Sequence, residues 1–591
     1  MNHEDIIKCV RNLIVSYLAT DVSSHDLGIK LHNKSGYDLS FHVYKIMNEI
    51  DVPAFIHFIN EQKSHWLEKV THHKSVIVIK LNRSTMANIV THYFTGDAVT
   101  TIIKEKYLVE FSSPNTNKPM HLGHVRNNCL GMAVSNLLTS YGHDVHKVAL
   151  INDRGVHICK SMLMYKNMGK DELPTKKGDE YVGDFYCQFE KALTDEYDAW
   201  QNNQISKTEY IRTHSILTQQ INDMLEAWED GDPETLALWN KMNSWVIKGF
   251  CETYEKYGVT FHSTEKESEI YQFGKEVVRK AFEEGKVQRA MDGSYECDLV
   301  EIGVVCPGTE EHKTKKLLRA NGTSMYITQD IGTIMSRFER FNFDKMIYVV
   351  GNEQDRHFEI LFKLSGHINP FIRGKCKHLS YGMVELPDGK MKSRLGNTVE
   401  ADKLLSDVSA IHYEQVKNKW FALDQNEIKQ RSDIIALAAI KFYMLMFCPS
   451  STVKFDIKKS LSHEGKTGPY ILYQYARVKT ILAKLEINKI TDEFTFLYLA
   501  ASDGENDILK QLYWFGQLLD FAVKTLDPSK VLDAVYNVAS AFSKFYAVDS
   551  NSVIKCNDAN VKKMRIGLIW LVQIAIKRGM DICSIQLLDQ M

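Results

Sequence analysis

Apolar and polar positions alternate over residues 106–112 (Lys-Tyr-Leu-Val-Glu-Phe-Ser), a pattern that predicts a strand. From Val125 the apolar spacing becomes helical, through Leu130, Val134 and Leu137. A second strand is predicted at His146–Ile151, ending in Asn152-Asp153-Arg154-Gly155. This strand-helix-strand-helix rhythm over about 106–165 is that of a parallel sheet. Upstream, helical spacing at Ile6, Ile7, Val10, Leu13 and Ile14 precedes strand-like segments at Leu39–Val43 and Ser75–Leu81, so residues 1–105 read as a small α+β domain. Residues 170–245 are helical, charged and rich in Trp and Tyr, without a Gly-rich loop, and read as an insertion reaching to about 290. Strand signals return at Lys345–Val350 and His378–Val384. From Ser406 the pattern is almost wholly helical, with helices at 431–448, 467–485, 505–526, 529–548 and 560–579. The chain therefore reads as α/β: a parallel-sheet domain over 106–400 split by the insertion, an α+β domain before it, and an all-α bundle over 401–591. No internal repeat or low-complexity segment interrupts this plan.

At 591 residues the chain is too long for one core, in keeping with several domains. Its 44% hydrophobic and 25% charged residues are those of an ordinary globular protein. The net charge of −2 excludes an overall basic footprint, so a nucleic-acid contact would use local patches. Residues 431–591 carry 20 Lys and Arg against 16 Asp and Glu, which makes this part the better place for a polyanion. The 11 cysteines form no Cys-x-x-Cys pair and no zinc-type spacing, and scattered thiols fit a reducing compartment. The opening Met1-Asn-His-Glu-Asp5 has neither a basic n-region nor an apolar h-region, and no run of about 18 apolar residues occurs. The expectation is a cytoplasmic protein with no membrane contact.

Two constellations carry chemistry. The first is Ser112-Ser-Pro-Asn115-Thr-Asn-Lys118-Pro-Met-His121-Leu-Gly123-His124, at a predicted strand-to-helix junction. Such a junction presents free backbone N–H groups and the positive end of a helix, where α/β folds bind phosphates. Two imidazoles and an ammonium there suit a polyphosphate, and Gly123 would admit a nucleotide close to the backbone. The rival readings are an ordinary loop and a metal pair, but the metal reading lacks a third ligand at useful spacing. The second constellation is Pro387-Asp-Gly-Lys390-Met-Lys392-Ser393-Arg394-Leu-Gly-Asn397. Alone, such a charge run is most often a solvated face. Placed after a second sheet segment, it fits a mobile cationic loop that closes on a transferring phosphoryl group.

Together, about 270 residues apart, the two motifs resemble the His-Ile-Gly-His and Lys-Met-Ser-Lys-Ser signatures of class I aminoacyl-tRNA synthetases. The nearer resemblance is to the arginyl-tRNA synthetase family. It rests on the 112–124 string, Tyr326-x-x-x-Asp330, Gly382-Met383-Val384, and Thr467-Gly-Pro-Tyr470-x-x-Tyr473-x-x-Ala476-Arg477. Gly36-Tyr-Asp-Leu-Ser-Phe-His-Val43 resembles that family's N-terminal additional domain, and the helical tail its anticodon-binding domain. The chain departs from the pattern at Ser393, where a second lysine is customary. Family members lacking that lysine tend to carry one upstream of the histidine motif, and Lys118 stands in the matching place.

The resemblance implies a Rossmann-type catalytic domain, a tRNA-contacting N-terminal domain, and a monomer. It implies ligation of L-arginine to tRNA(Arg) in two steps: an arginyl-adenylate from ATP, with Mg2+ on the phosphates, then transfer to the terminal ribose. His121, His124, Lys118 and Lys390 would be catalytic. Gly123, Met383, Val384, Lys392 and Ser393 would join the histidines and Lys390 at ATP. Asn115, Glu267, Tyr326, Asp330 and Gln354 would bind arginine, with His357 beside them, and Glu267 is chosen over Glu269. Tyr470, Tyr473 and Arg477 would meet tRNA, with Phe545 and Tyr546 as further candidates, while Tyr475 reads as core. No metal-binding protein site and no editing domain are expected. The competing readings are another class I synthetase, against which the acidic pocket argues, and an RNA-binding relative without catalysis, against which the intact histidines and lysines argue.

Overall fold

Five parallel strands carry the architecture around the histidine motif: β1 (Lys106–Glu110), β2 (Asp144–Ile151), β3 (Ser263–Lys266), β4 (Lys345–Gly351) and β5 (Cys376–Tyr381). Their spatial order is 5-4-1-2-3. The chain therefore reverses its winding between β1 and β4, and the crevice outside the carboxyl ends of these strands is where open α/β sheets take ligands. Helix α1 (Leu122–Ser140) joins β1 to β2, α2 (Glu267–Glu283) follows β3, α3 (Tyr326–Phe341) leads into β4, and α4 (Asp355–Ile368) joins β4 to β5. Leu108, Val148, Met346 and Tyr348 from the sheet pack with Ile327, Ile331 and Ile334 of α3 in one core. The computed structural model describes residues 3–18, 30–31, 38–42, 51–62, 64–73, 76–95, 103–169, 171–200, 205–305, 313–386, 389–390, 399–487 and 502–591.

Two compact units emerge, residues 102–461 and residues 1–101 with 462–591. In the first, the helices Gly178–Ala199, Lys207–Thr213, Ile216–Glu229 and Pro233–Tyr257 stand between β2 and β3 as the insertion. The stretch read from sequence as insertion, to about 290, nevertheless contains β3, a strand of the main sheet. Its four residues, Ser-Thr-Glu-Lys, are too polar to announce a buried strand. Glu265 is tolerated there because the fully buried Arg337 of α3 donates Nε–H to it at 2.8 Å, and also bonds Glu110 of β1. Val384–Leu386 pairs with Val453–Lys454 and with Gly389–Lys390. Helices Ala401–Val416 and Gln425–Leu445 pack on α1, so the compact unit closes at 461, whereas helicity alone places a boundary at 400.

In the second unit the strands Lys30–Leu31, Leu39–His42, Val76–Leu81 and Leu67–His73 lie adjacent in that order, all antiparallel. Helix Arg83–Thr95 packs on Asp503–Thr525 and Ala559–Ile582, with Phe94 against Phe515 at 5.4 Å between ring centroids. The amino-terminal α+β module and the carboxyl-terminal helices thus share one core, a long-range pairing with no local signal. The apolar stretch 566–576 lies inside Ala559–Ile582, and its Leu568, Leu571, Val572 and Ile576 are buried. Among the described residues no helix is long and apolar enough to cross a membrane.

Candidate active site

The chain leaves β1 through two residues at positive φ, Ser112 (82°) and Ser113 (40°). Such conformations cost about 1–3 kcal/mol each and persist only where neighbours fix them. Here Asn127 Oδ1 accepts Ser112 N–H at 2.6 Å, and Ser112 Oγ meets the Tyr254 hydroxyl at 2.8 Å. The turn carries Asn115 across to β2, where it bridges Asn152, and leaves the Asn115 side chain exposed at the sheet's carboxyl edge. His121 then caps α1: its Nδ1 accepts Gly123 N–H at 3.1 Å, while His124 Nδ1 accepts His121 N–H at 3.1 Å. The two rings lie 4.0 Å apart. Burial, and then the Lys118 ammonium, push His121 down to about 4. His124 lies well below the ordinary histidine value through burial, His121 and Lys118. Both imidazoles are therefore neutral at pH 7. With each Nδ1 occupied as an acceptor, each proton sits on Nε2, so the pair offers two N–H donors at a helix N-terminus. A Cβ on Gly123 would stand 3.0 Å from His121 Cε1, so this glycine makes room for the capping ring. Burial also lowers the half-buried Lys118.

The β5 side is tied to this motif by Arg126. Its wholly buried guanidinium donates to the carbonyls of Ser451 at 2.7 Å, Pro449 at 3.1 Å and Gly382. Met383 is exposed, while Val384 is buried and pairs with Val453. Residues after the cationic loop return to the motif: Leu122 N–H reaches Val399 O at 3.0 Å, and Ala401 N–H reaches Met120 O at 2.9 Å. The Lys390 backbone pairs with Glu385. Lys392, Ser393 and Arg394, like the Lys390 side chain, lie outside the described residues.

An acidic pocket forms at the same edge. Helices α2 and α3 cross at two glycines, since a Cβ on Gly332 would fall 2.6 Å from Gly274 Cα. This approach brings the first turn of α2, with Glu267, against Gln329 and Asp330 of α3. Burial pushes Glu267 up to about 7; Arg154 opposes the shift, and Asp153 and Asp330 add to it. Asp330 Oδ2 accepts His357 Nε2–H at 2.7 Å. Glu269 turns outward to Lys266 at 3.8 Å. Tyr326 heads α3 and is 83% exposed, and Gln354 is exposed in the turn after β4. A planar cation with N–H donors on its rim fits this arrangement of acceptors.

Sequence reasoning passed over Asp153 and Arg154, which organise the pocket from the end of β2. Asp153 accepts Ser268 N–H at 3.0 Å and Ser268 Oγ–H at 2.7 Å, holding the start of α2. Its carbonyl accepts Trp239 Nε1–H at 2.6 Å and Asn243 Nδ2–H at 3.1 Å from the insertion. The signal was an Asp-Arg pair directly after a strand of a parallel sheet.

In the other unit, helix Gly468–Lys484 presents Tyr473 and Arg477. The guanidinium lies 4.5 Å from the Tyr473 ring and 4.8 Å from the Tyr546 ring, and donates to the Tyr473 hydroxyl at 2.7 Å. Tyr473 and Tyr546 are exposed, whereas Phe545 and Tyr475 are buried in the bundle. Tyr470 is half-buried beside Tyr536, with its hydroxyl bonded to Ser543 and Ser540.

The class I (R) tRNA synthetase catalytic domain matches residues 85–447, and the DALR anticodon binding domain matches residues 471–591. The arginine–tRNA ligase of Bacteroides fragilis is 40% identical over 82% of this chain and 80% of its own, and that of Amoebophilus asiaticus is 38% identical over 83% and 81%. In fold, the chain is similar to Thermus thermophilus arginyl-tRNA synthetase, with a TM-score of 0.79 at 20% identity over 99% of this chain and 100% of that one. The arginyl-tRNA synthetase of Plasmodium falciparum gives 0.77 at 18% identity over 100% and 99%. With two domain matches in tandem and relatives near 40% identity over four-fifths of its length, the chain belongs to the arginyl-tRNA synthetase family of class I aminoacyl-tRNA synthetases.

Proposed function

We propose that the protein ligates L-arginine to tRNA(Arg), first activating the amino acid with ATP and then transferring it to the 3′-terminal ribose. The observation that carries this reading is the meeting, at one sheet edge, of two neutral imidazole donors on a helix N-terminus with the carboxylates Glu267 and Asp330. His121 and His124 donate N–H to the α-phosphate or the departing pyrophosphate. Lys118, with Lys390 from the loop, neutralises charge on the triphosphate, and Gly382–Val384 line the nucleotide through their backbone. Asp330 and Glu267 take the guanidinium, Tyr326 closes over it, and Asn115 and Gln354 hold the amino-acid backbone. Magnesium belongs to the proposal as an ion held by phosphate oxygens. Among the described residues no group of three or more His, Cys, Asp or Glu side chains offers a cage. A cytosolic monomer completes the reading, as does an N-terminal module that touches tRNA. Purified protein is expected to exchange pyrophosphate into ATP when arginine and tRNA are both present. Exchange driven by lysine, or by arginine without tRNA, would overturn the assignment.

The Tyr473–Arg477–Tyr546 stack is proposed as the tRNA contact of the helical unit, because exposed aromatic faces with a cation suit unstacked bases. Tyr473→Ala is expected to raise the KM for tRNA about tenfold, within the ~1–3 kcal/mol of a lost stacking contact, with the arginine KM unchanged. Equal KM values for tRNA in variant and wild type would return Tyr473 to a merely structural role.

A further inference from the structure

The Arg154 side chain is only 8% exposed, yet it makes no direct salt bridge to the half-buried Glu267. Its Nη2 donates to Glu229 Oε1 at 2.7 Å, and the guanidinium lies 4.0 Å from the Tyr271 ring and 5.2 Å from the Trp228 ring. Between Arg154 and Glu267 stands the amide of Gln329; in the orientation that satisfies both neighbours, an assignment made from the hydrogen-bonding partners, its oxygen accepts Arg154 Nη1–H at 3.0 Å and its nitrogen donates to Glu267 Oε1 at 3.0 Å. A cation set directly on Glu267 would occupy the acceptors that a substrate guanidinium needs. A cation held one amide away favours the ionised carboxylate through an aligned dipole and leaves most of its lone pairs open.

We propose that Arg154 and Gln329 are positioning residues for arginine selection, holding Glu267 ionised and aimed while leaving its acceptor face free for the substrate. The inference rests on the placing of Glu267 in the arginine pocket. Asp153, behind the start of α2, and Asp330, on α3, both face Glu267 and oppose its ionisation; Arg154 favours it. On Glu267's own helix, Glu269 is turned away to Lys266. The free pocket therefore gains arginine affinity as pH rises through about 7 and levels off above.

The test is the KM for arginine and for ATP in aminoacylation by the full-length enzyme with tRNA, between pH 6 and 8.5. Arg154→Met is expected to move the bend in the arginine profile upward by about one pH unit. At pH 7 that raises the arginine KM about fivefold, recovering toward pH 8.5, with the ATP KM within about twofold. Gln329→Leu, on the half-exposed side of α3, moves the bend the same way, and Arg154→Lys leaves it near the wild-type position because the charge remains. A bend unmoved in both Arg154→Met and Gln329→Leu overturns the proposal, as does a parallel rise of both KM values at every pH. Glu267→Gln separates the two levels of inference. An arginine KM that ignores this change overturns the pocket assignment and the proposal with it. A raised KM with no bend leaves the pocket standing and isolates the role of Arg154 and Gln329.

Discussion

Asp330→Ala is expected to raise the KM for arginine by roughly 150-fold, about 3 kcal/mol, while the KM for ATP stays within about twofold. Asp330 stands on the second turn of α3, where Oδ2 is already committed to His357 Nε2–H at 2.7 Å. That bond fixes the carboxylate plane and leaves the other oxygen, with the spare lone pairs, for an incoming guanidinium. Alanine removes the acceptor, deprives His357 of its partner, and leaves substrate N–H groups buried without a bond, a penalty larger than the worth of the lost contact. Glu267 compensates only in part, because burial raises it to about 7 and leaves it about half ionised at pH 7. The proposed nucleotide side comprises the start of α1 and Gly382–Val384, and none of its hydrogen bonds cited above involves Asp330. Asp330→Asn keeps the shape and loses the charge, so an increase of about tenfold is expected. Steady-state aminoacylation at saturating tRNA reads both constants. Arginine and ATP KM values that climb together would mean that Asp330 supports the whole crevice and does not select the amino acid.

What was legible in the sequence follows from how local each signal is. The sheet around the histidine motif was readable because β1 and β2 run into apolar, buried carboxyl ends, and α1 begins directly after His121. Tyr326 and Asp330 were legible as one helix face, four residues apart. The strand β3 was not, since Ser-Thr-Glu-Lys is polar and Glu265 stays inside through Arg337, 72 residues away, and Arg340. Arg154 and Gln329 were missed for the same reason. Their roles arise from a three-residue chain of hydrogen bonds between β2, α2 and α3 that exists only after Gly274 and Gly332 let the two helices touch. Gly123 shows a mixed case: a glycine before a phosphate site was expected to admit the ligand, and the structure adds that it seats the His121 ring. The sharing of one core by the two ends of the chain, through pairs such as Phe94 and Phe515, has no sequence signature, because neither residue's neighbourhood differs from that of any amphipathic helix.

His124→Ala is expected to lower kcat for adenylate formation by about 10²–10³, roughly 3–4 kcal/mol, with a far smaller change in the ATP KM. The reason lies in what the imidazole is at neutral pH. Its pKa stands well below the ordinary value, so it enters the reaction as a neutral donor whose Nε2–H is aimed by the bond its Nδ1 accepts from His121 N–H. A donor of this kind contributes where negative charge builds on the departing pyrophosphate, and little to ground-state binding. The same assignment fixes the pH behaviour. Were either imidazole acting as a cation of ordinary pKa, kcat would fall as pH rises from 6 to 8; with His121 near 4 and His124 also depressed, neither of the two loses a proton in that window. The kcat at saturating arginine is therefore expected to show no histidine limb between pH 6 and 8, even though the arginine KM bends near 7 on account of Glu267. Because the rings lie 4.0 Å apart and each caps the same helix turn, removing both His121 and His124 is expected to cost clearly less than the sum of the single losses. Single-turnover formation of the adenylate, measured across that pH range for both single variants and the double variant, distinguishes these outcomes. A kcat that declines with an apparent pKa near 6.5, and loses that decline in His124→Ala, would make the histidine a charged participant and sink the neutral-donor account.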